Sequence, residues 1–245
     1  MQNDPQTMNP SSSVDPIPEH VALIMDGNRR WAKNHGKNLI EGYHQGAETL
    51  TRIVRFSTSL GIKWLTAFSF STENWRRPLS EVRALMDLFA FYLHKEKSTM
   101  VAEGVRLKSI GDLEMLPQTV QDAFIEVQEA TKEGENLTFV IAINYGGRNE
   151  LLRATQKMFS DLQAGVFQLE NISEERFASY LDTAGMADPD LVIRTAGECR
   201  LSNFFPWQSS YAEIVVLDPL WPDISEKDFL QAIRGFQRRK RRCGT

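Results

Sequence analysis

The chain has 245 residues, of which 42% are hydrophobic and 24% are charged, and its formal net charge is -4. These values are ordinary for a soluble globular protein, and they exclude fibrous, collagen-like and wholly disordered chains. A general nucleic-acid-binding protein would usually be basic, so no nucleic-acid partner is expected. A chain of this length is typical of one large α/β domain or of two small ones.

Cysteine content and apolar runs indicate the cellular compartment. The two cysteines, Cys199 and Cys243, cannot build a disulfide framework, and their spacing does not suit a zinc site. No apolar run reaches the ~18–20 residues that a membrane-spanning helix needs. Residues 1–18 also lack the apolar stretch of a signal peptide. We therefore expect a cytoplasmic protein that at most touches a membrane from outside.

Predicted strands and helices alternate along the chain. Residues 1–18 are polar and contain Pro and Ser, which predicts a disordered leader before a single domain at 19–245. Short apolar runs predict strands at 20–25, 62–70, 105–110, 137–143, 190–194 and 213–217. Helical spacing and end signals predict helices at 41–60, 78–100, 117–133, 173–182 and 225–240. A further helix is predicted to follow the turn at 144–147 and to end at about 164.

This alternation indicates a mostly parallel central sheet flanked by helices. Ligands of such sheets bind beyond the carboxyl ends of the strands. Three polar segments directly follow predicted strands, so they are the candidate functional segments.

The first polar segment, at 25–31, follows the first strand. Asp26 at a strand end is suited to Mg²⁺, which binds a few carboxylates together with phosphate oxygens and water. Gly27 lets a ligand approach the backbone, and Arg30 with the following amides is suited to phosphate at a helix start. Taken alone, the segment is more often an ordinary Asp-Gly turn.

The second polar segment, at 70–78, carries hydroxyls, an amide and two guanidiniums around an indole ring. One interpretation is a capping loop before the helix that begins near Pro78, with Ser71 or Thr72 as the turn former. Capping does not require the run Asn-Trp-Arg-Arg at 74–77, which favours a ligand site.

The third polar segment, at 193–204, follows the fifth strand. Arg194, Arg200 and Ser202 place two guanidiniums and a hydroxyl on one loop, and a diphosphate needs several such converging donors. The alternative is a surface loop in which Arg194 pairs with Glu198 or Asp190.

Three further features each allow two interpretations. Glu213, a carboxylate opening a strand, is either a second metal ligand beside Asp26 or an edge residue that faces water. The strongly apolar helix after Pro78 either lines an apolar cavity or is buried on most sides or at a dimer contact. The basic run at 238–242 is either a solvated helix end or a site for a diphosphate or a membrane surface.

Together these segments resemble the cis-prenyltransferase family over about residues 20–243. The resemblance is carried by the motifs MDGNRRW, FSTENWRRP, INYGGR, IRTAGECRLSNF, YAE and LWPD, in this order. The chain has no P-loop, no GxGxxG and no DDxxD motif, which disfavours nucleotide binding and the trans-prenyltransferases.

The resemblance implies a transferase that adds isopentenyl diphosphate units in cis to an allylic diphosphate. Farnesyl diphosphate is the expected starter, and a C55-type precursor of a cell-wall carrier lipid is the expected product. The resemblance also implies Mg²⁺ as cofactor, a homodimer, and an apolar tunnel between sheet and helices with Leu137 at its floor. A contact with lipid would help to release such a product.

Residue roles follow from the same resemblance. Asp26 is expected to deliver Mg²⁺ to diphosphate, with Glu213 as a further metal ligand, and Asn74 is expected to position the proton that leaves. The expected substrate-binding residues are Gly27, Asn28, Arg29, Arg30, Trp31, Ser71, Thr72, Glu73, Trp75, Arg77, Arg194, Arg200, Leu201 and Ser202. Of these, the residues around Arg30 and Arg77 resemble the allylic site, and those around Arg194 resemble the isopentenyl site.

The sequence departs from the family pattern at three places. The family's Gly-His pair is represented by Gly42-Tyr43-His44, so that the histidine is displaced by one residue. Leu39 stands at a basic position, and Cys199 stands where bacterial members often carry His. We expect these departures to affect the contacts to the allylic diphosphate.

Two other functions are alternatives to an active transferase. A non-catalytic partner subunit would not need Asp26, Asn74, Arg200 and Glu213, all of which are present. An unrelated magnesium-dependent phosphoesterase would carry a second Asp two residues after Asp26, where Asn28 stands. Both functions are therefore disfavoured.

Overall fold

The computed structural model describes residues 17–238. Almost all of the expected leader at 1–18 therefore lies outside the described residues. So do all but the first residue of the basic run at 238–242.

One six-stranded sheet organises the fold, with strand order β3-β4-β2-β1-β5-β6. All five neighbouring pairs are parallel. The strands are β1 (His20–Ile24), β2 (Trp64–Ser71), β3 (Val105–Ile110), β4 (Leu137–Tyr145), β5 (Leu191–Arg194) and β6 (Glu213–Val216). The predicted α/β class is confirmed, and the sheet is fully rather than mostly parallel.

Seven α-helices connect or follow the strands within residues 17–238. They are α1 (Asn28–Asn34), α2 (Leu39–Leu60), α3 (Leu79–Ala102), α4 (Gln118–Thr131), α5 (Gly147–Gln163), α6 (Glu174–Ala178) and α7 (Glu226–Gln237). Local sequence explains their ends: Asn38 and Glu41 form a capping box at the start of α2, and Gly61 ends it with a φ of 80°. No helix in this part of the chain is long and apolar enough to cross a membrane.

Alternate strand residues contact two different cores, as the period-two geometry of a strand requires. Val21 and Leu23 of β1 join the larger core, which the sheet forms with α2, α3, α4 and α7. Ala22 and Ile24 join a smaller core on the other face, which Phe204 and other apolar side chains cover.

Sequence reasoning indicated a helix start after Asp26 but gave no bounds for α1, and it overestimated one helix. The seven residues of α1 are too few to show helical periodicity above the turn signals around them. The helix expected at 173–182 is helical only over Glu174–Ala178.

The strand order creates a crevice at one place in the sheet. From β1 the chain continues to β2 on one side, and from β5 it continues to β6 on the opposite side. Neighbouring strands whose connections leave in opposite directions open a crevice at their carboxyl ends. The fold therefore places a ligand site where β1 and β5 end.

Candidate active site

An ion pair spans the crevice between β1 and β5. Arg194 Nη2 lies 3.0 Å from Asp26 Oδ2, and the Arg194 side chain is only 5% exposed. Thr195 locks the backbone beneath this pair: its hydroxyl donates to the Asp26 carbonyl at 2.7 Å and accepts from the Asp26 amide at 2.9 Å. Sequence reasoning missed Thr195, because a threonine after a strand has no distinctive signal.

The turn after β1 requires a glycine. Gly27 has a φ of 117°, and a Cβ at this position would lie 2.9 Å from the Leu220 Cβ. The turn brings Arg30 to the crevice, where its Nη2 lies 3.5 Å from Asp26 Oδ1 and 3.5 Å from Glu198 Oε1. Asp26 therefore faces two guanidiniums.

The segment after β2 forms the 3₁₀ helix Thr72–Arg76. The Ser71 amide donates to Asn74 Oδ1 at 3.1 Å, and the two residues form a capping box for this 3₁₀ helix. The helix that begins after Pro78 has no side-chain cap, so the interpretation of the segment as a cap for that helix is not supported. Ser71 and Asn74 line the cavity described below. Trp75 turns away from it, because its Nε1 donates to Asn144 Oδ1 at 2.7 Å and its ring packs edge-on against Phe70.

A second charged cluster lies beside the first. Arg77 Nη1 donates to the Tyr43 hydroxyl at 2.9 Å, and that hydroxyl donates to Glu81 Oε1 at 2.7 Å. Arg29 Nη2 reaches Glu81 Oε2 at 2.7 Å, and the Glu81 side chain is only 7% exposed. Glu81 thus holds Arg29 from α1 and Arg77 from the segment before α3.

Burial and hydrogen bonding determine the protonation states of this cluster. Burial and the hydrogen bond to Glu81 raise the pKa of Tyr43 to about 12, so that the hydroxyl keeps its proton at neutral pH. Burial by itself would raise the pKa of Glu81, but hydrogen bonds from Tyr43 and Arg29 outweigh it and lower the pKa. Sequence reasoning named Tyr43 as part of a departure that affects the allylic site, but it did not identify Glu81, since the proximity of the two residues arises from the packing of α2 on α3.

The expected displacement of the family histidine has a simple structural outcome. Tyr43 lines the cavity, whereas His44 is exposed on the other side of α2, beside Phe91 and Tyr92. The inward position is therefore held by a tyrosine.

The loop after β5 converges on Arg194. Arg194 Nη1 donates to Ser202 Oγ at 2.7 Å and also to the carbonyl of Arg200. The Arg200 side chain is exposed and pairs with Glu198. The alternative pairing of Arg194 with Glu198 or Asp190 is thus replaced by its pairing with Asp26.

A cavity of about 450 Å³ joins the three polar segments. Ten of the sequence-predicted site residues line it: Asp26, Gly27, Asn28, Arg29, Arg30, Ser71, Asn74, Arg77, Arg194 and Ser202. The other seven predicted site residues do not line it: Trp31, Thr72, Glu73, Trp75, Arg200, Leu201 and Glu213.

Trp31 supports the site from behind. Its ring is buried, its Nε1 donates to Asp223 Oδ1 at 2.7 Å, and His35 stacks on it at 4.3 Å. The LWPD motif thereby fixes α1.

Glu213 lies far from Asp26 within one chain. It pairs with Leu191 at the first position of β6, whereas Asp26 lies beyond the last residue of β1. Asp26 lies five residues beyond Val21, which is level with Leu191 and Glu213, and β6 is two strands away from β1. At ~3.3 Å per strand residue and ~4.8 Å between strands, roughly 19 Å separates the two backbones. The expected two-carboxylate metal site therefore does not form within a single chain, because parallel register places the start of β6 at the amino end of the sheet. A role for Glu213 in metal binding stays a prediction.

The donor chemistry at Asp26 fits Mg²⁺. Within residues 17–238 no three His, Cys, Asp or Glu side chains form a cluster that could hold a metal ion. Mg²⁺ usually keeps several waters and takes one or two carboxylates together with substrate phosphates. The partly exposed carboxylate of Asp26, at the edge of an arginine-lined cavity, suits an ion that arrives with a diphosphate.

An apolar cavity of about 100 Å³ lies between α2, α3 and the sheet. Ser69 lines both this cavity and the arginine-lined one, so that the two meet at β2. Leu137 is buried and does not line the apolar cavity.

Comparisons with known proteins agree with this architecture. A family described as putative undecaprenyl diphosphate synthase matches residues 24–244. An isoprenyl transferase of Thermotoga maritima is 49% identical over 228 residues, which cover 93% of this chain and 97% of the relative. The ditrans,polycis-undecaprenyl-diphosphate synthase ((2E,6E)-farnesyl-diphosphate specific) of Micrococcus luteus is 45% identical, over 93% of this chain and 92% of that protein.

Solved structures show the same fold. The crystal structure of lavandulyl diphosphate synthase from Lavandula x intermedia, in complex with dimethylallyl diphosphate, has a TM-score of 0.91 at 34% identity and covers 94% of this chain and 99% of that one. A probable undecaprenyl diphosphate synthase from Campylobacter jejuni has a TM-score of 0.77 at 32% identity and covers 93% of this chain and 99% of that one. The chain therefore belongs to the undecaprenyl diphosphate synthase family, and it is a cis-prenyltransferase.

Proposed function

We propose that this cis-prenyltransferase extends farnesyl diphosphate with isopentenyl diphosphate to a C55-type polyprenyl diphosphate, the precursor of a cell-wall carrier lipid. The observation that carries the proposal is the meeting of an arginine-lined cavity with an apolar cavity at Ser69. A diphosphate with an apolar tail needs both environments side by side. The Micrococcus luteus relative, specific for farnesyl diphosphate, supports the choice of starter.

The allylic diphosphate binds on the α1 side of the cavity in this proposal. Arg29, Arg30 and Arg77 supply the positive charge there, and all three line the cavity. The tail then passes Ser69 into the apolar cavity, which becomes the product tunnel as the chain grows.

Isopentenyl diphosphate binds on the β5 side. Arg194 and Ser202 already lie within hydrogen-bond distance of each other, and Arg200 needs only to leave its exposed pairing with Glu198 to join them. Exposed pairs of this kind contribute little to stability, so the exchange costs little.

Asp26 holds Mg²⁺ against the allylic diphosphate in this proposal. Bound there, the ion offsets charge that develops on the departing diphosphate. Asp26 contacts Arg194 and Arg30. Because diphosphates compete for those guanidiniums, substrate binding frees carboxylate oxygens for the ion.

Asn74 positions the proton that leaves the new allylic unit. Its neutral amide is a poor base, so diphosphate or water accepts the proton. The hydrogen bond from the Ser71 amide fixes the amide orientation, with the carboxamide oxygen as acceptor.

A homodimer and a lipid contact complete the proposal. Leu152 and Phe159 are exposed on α5 at seven-residue spacing, which keeps helix residues on one face, and Val166 is exposed just after the helix. Tyr211 is 80% exposed near the start of β6. A second copy of the chain would bury such residues, and a membrane surface would receive the apolar product.

A labelling assay tests the proposed function. Purified protein is incubated with farnesyl diphosphate, labelled isopentenyl diphosphate and Mg²⁺, with and without EDTA, beside Asp26→Ala. We expect chain extension that EDTA and Asp26→Ala each reduce by at least about a hundredfold. Chromatography sizes the product, and a short-chain product would contradict the C55 assignment. Folded wild-type protein that extends nothing, with detergent present, would instead support the partner-subunit function.

A further inference from the structure

The loop at 200–206 is held in an unusual backbone conformation. The angle φ is 51° at Ser202, 66° at Asn203 and 51° at Phe205. Residues other than glycine rarely adopt this left-handed region, and they keep it only where their surroundings impose it. Phe204 and Phe205 anchor the apolar side of the loop, because their buried rings stack 4.2 Å apart.

Asn203 anchors the polar side of the loop through three hydrogen bonds. Its carbonyl accepts from the Gly147 amide at 2.8 Å, and its Oδ1 accepts from the Arg148 amide at 2.9 Å. Its Nδ2 donates to Glu73 Oε1 at 2.9 Å. A carboxamide both donates and accepts, and Asn tolerates the left-handed region, so this residue suits the position.

The two glycines of the INYGGR motif make room for this contact. A Cβ on Gly146 would lie 2.5 Å from Thr72 Oγ1 and 3.0 Å from Asn203 Nδ2. A Cβ on Gly147 would lie 2.0 Å from Pro206 Cδ. The start of α5, the helix Thr72–Arg76 and the loop at 200–206 therefore meet where larger side chains do not fit.

Asn203 is connected to both sides of the substrate cavity through its neighbour Ser202 and its hydrogen-bond partner Glu73. Its neighbour Ser202 accepts from Arg194, on the isopentenyl side. Its partner Glu73 precedes Asn74, which lines the cavity from the other side. Asn203 itself does not line that cavity.

We propose that Asn203 is a positioning residue that, through Glu73, holds Ser202 and Asn74 in register across the cavity. This inference rests on the proposed function, since the register matters for the two diphosphate substrates. The charged state of Glu73 suits its role as acceptor. Burial by itself would raise its pKa, but hydrogen bonds from its own backbone amide and from Asn203 outweigh burial and lower the pKa.

An exchange of donor and acceptor tests the inference. Asn203→Asp keeps an acceptor for the Arg148 amide and tolerates the left-handed backbone, but it sets a carboxylate against Glu73. Adding Glu73→Gln supplies an amide donor to that carboxylate and so rebuilds the bond in the reverse direction. Glu73→Gln alone provides the baseline. Asn136→Asp is the matched control, because Asn136 Nδ2 donates to the Glu103 carbonyl at 2.9 Å, away from the cavity.

Two readouts are taken for each variant: kcat/KM for isopentenyl diphosphate, and the affinity for inorganic diphosphate by calorimetry. We expect Asn203→Asp to lower both by about tenfold or more, as for the loss of a hydrogen bond to a charged group. The double variant should return to within about threefold of Glu73→Gln alone, and Asn136→Asp should stay within about twofold of wild type. Thermal unfolding midpoints identify any variant that fails to fold.

Three outcomes would overturn the inference. Asn203→Asp could match wild type in both readouts. The double variant could lose kcat/KM and diphosphate affinity by the product of the losses in the two single variants. The double variant could also regain the wild-type unfolding midpoint without regaining either readout. If wild-type protein binds inorganic diphosphate but extends no chain, the proposed function fails, and the calorimetric series still decides the role of Asn203.

Discussion

At the scale of single residues, Tyr43 shows how a substitution can be accommodated in a charged site. Its hydroxyl accepts from Arg77 and donates to Glu81, so that it bridges a cation and an anion without carrying charge. With a pKa raised to about 12 by burial and by Glu81, the hydroxyl stays protonated throughout the physiological range.

Tyr43→Phe should therefore weaken binding of the allylic substrate. Removal of a neutral hydrogen-bonding group from this cluster should raise the KM for the allylic diphosphate by about two- to tenfold. The KM for isopentenyl diphosphate should change little, because Arg194 and Ser202 do not contact Tyr43. Steady-state kinetics with each substrate varied in turn measures both values.

Tyr180→Phe is the matched control, since the Tyr180 hydroxyl donates to Asp161 Oδ2 at 2.7 Å and Tyr180 lines neither the arginine-lined nor the apolar cavity. Equal effects of the two variants on the allylic KM would contradict the role of Tyr43.

His20 makes stability depend on pH. Its ring is buried, its Nδ1 lies 2.6 Å from the Ala187 carbonyl and its Nε2 lies 2.8 Å from Thr66 Oγ1. Burial lowers its pKa from 6.5 to about 4, because the charged ring is poorly solvated there. The folded protein therefore holds His20 neutral, while the unfolded chain takes up a proton below about pH 6.5.

The free energy of unfolding falls as the solution becomes more acidic. Because the pKa of His20 is lower in the folded protein than in the unfolded chain, its stabilising contribution is complete above about pH 6.5. This contribution is lost as pH falls from about 6.5 to about 4, and the total loss in the free energy of unfolding is about 3 kcal/mol. Urea unfolding of wild type and His20→Asn at pH 7, 5.5 and 4.5 isolates it, because other titrating groups cancel in the difference. A constant difference in the free energy of unfolding across this range would refute the assignment.

At the scale of elements, small residues set the distance between α1 and α2. A Cβ on Gly46 would lie 2.3 Å from Asn28 Oδ1, and one on Gly42 would lie 2.6 Å from the Asn28 carbonyl. The close approach of these helices brings the residues around Arg29 to the cavity. The spacing Gly42-x-x-x-Gly46 is visible in the sequence, but which helix packs against it is not.

Gly46→Ala should destabilise the protein by about 1–3 kcal/mol, since overpacking must displace α1. Gly235→Ala in α7 is the matched control. Nothing lies within 4 Å of the added methyl group there, so this change should stabilise the helix by about 0.5–1 kcal/mol. Chemical denaturation measures both, and destabilisation of equal size in the two variants would show that helix packing is not the cause.

Prediction from the sequence succeeded for the strands and for several helix ends. All six strands were predicted, because short apolar runs between turn signals are typical of buried parallel strands. Helix ends were predicted where Gly61 and Pro78 mark them. The bounds of α1 were not predicted, because its seven residues are too few to show an apolar period.

At the scale of the whole molecule, exposed apolar residues on the described surface concentrate near α5. Leu152 and Phe159 are exposed on this helix, and Val166 and Leu169 follow it. Monomeric proteins rarely expose such a group together, so this surface is the expected dimer contact.

Phe159→Asp should weaken dimerisation and shift the protein toward monomer in sedimentation velocity experiments at micromolar concentration. Burying a charge in an apolar contact carries a high cost, so the dissociation constant should rise by at least about tenfold. Phe91→Asp, at an equally exposed phenylalanine on α3, controls for surface charge. If only Phe91→Asp dissociates the dimer, the contact lies on α3 instead.

The sequence by itself determined the fold class and the polar segments, and together with the family resemblance it predicted ten of the residues that line the arginine-lined cavity. It could do so because strand ends in a parallel sheet lie at one edge, and polar motifs after strands are local features. The family resemblance added the reaction and the roles of Asp26 and Asn74.

Only the tertiary structure decided which of these residues meet. It paired Asp26 with Arg194, turned Trp31 and Trp75 away from the cavity, and separated Glu213 from Asp26. It also revealed Glu81 and Asn203 as the groups that hold the arginines and loops in place. The physical reason is that strand order, register and helix packing are set by contacts between residues far apart in the chain, and no local pattern records them.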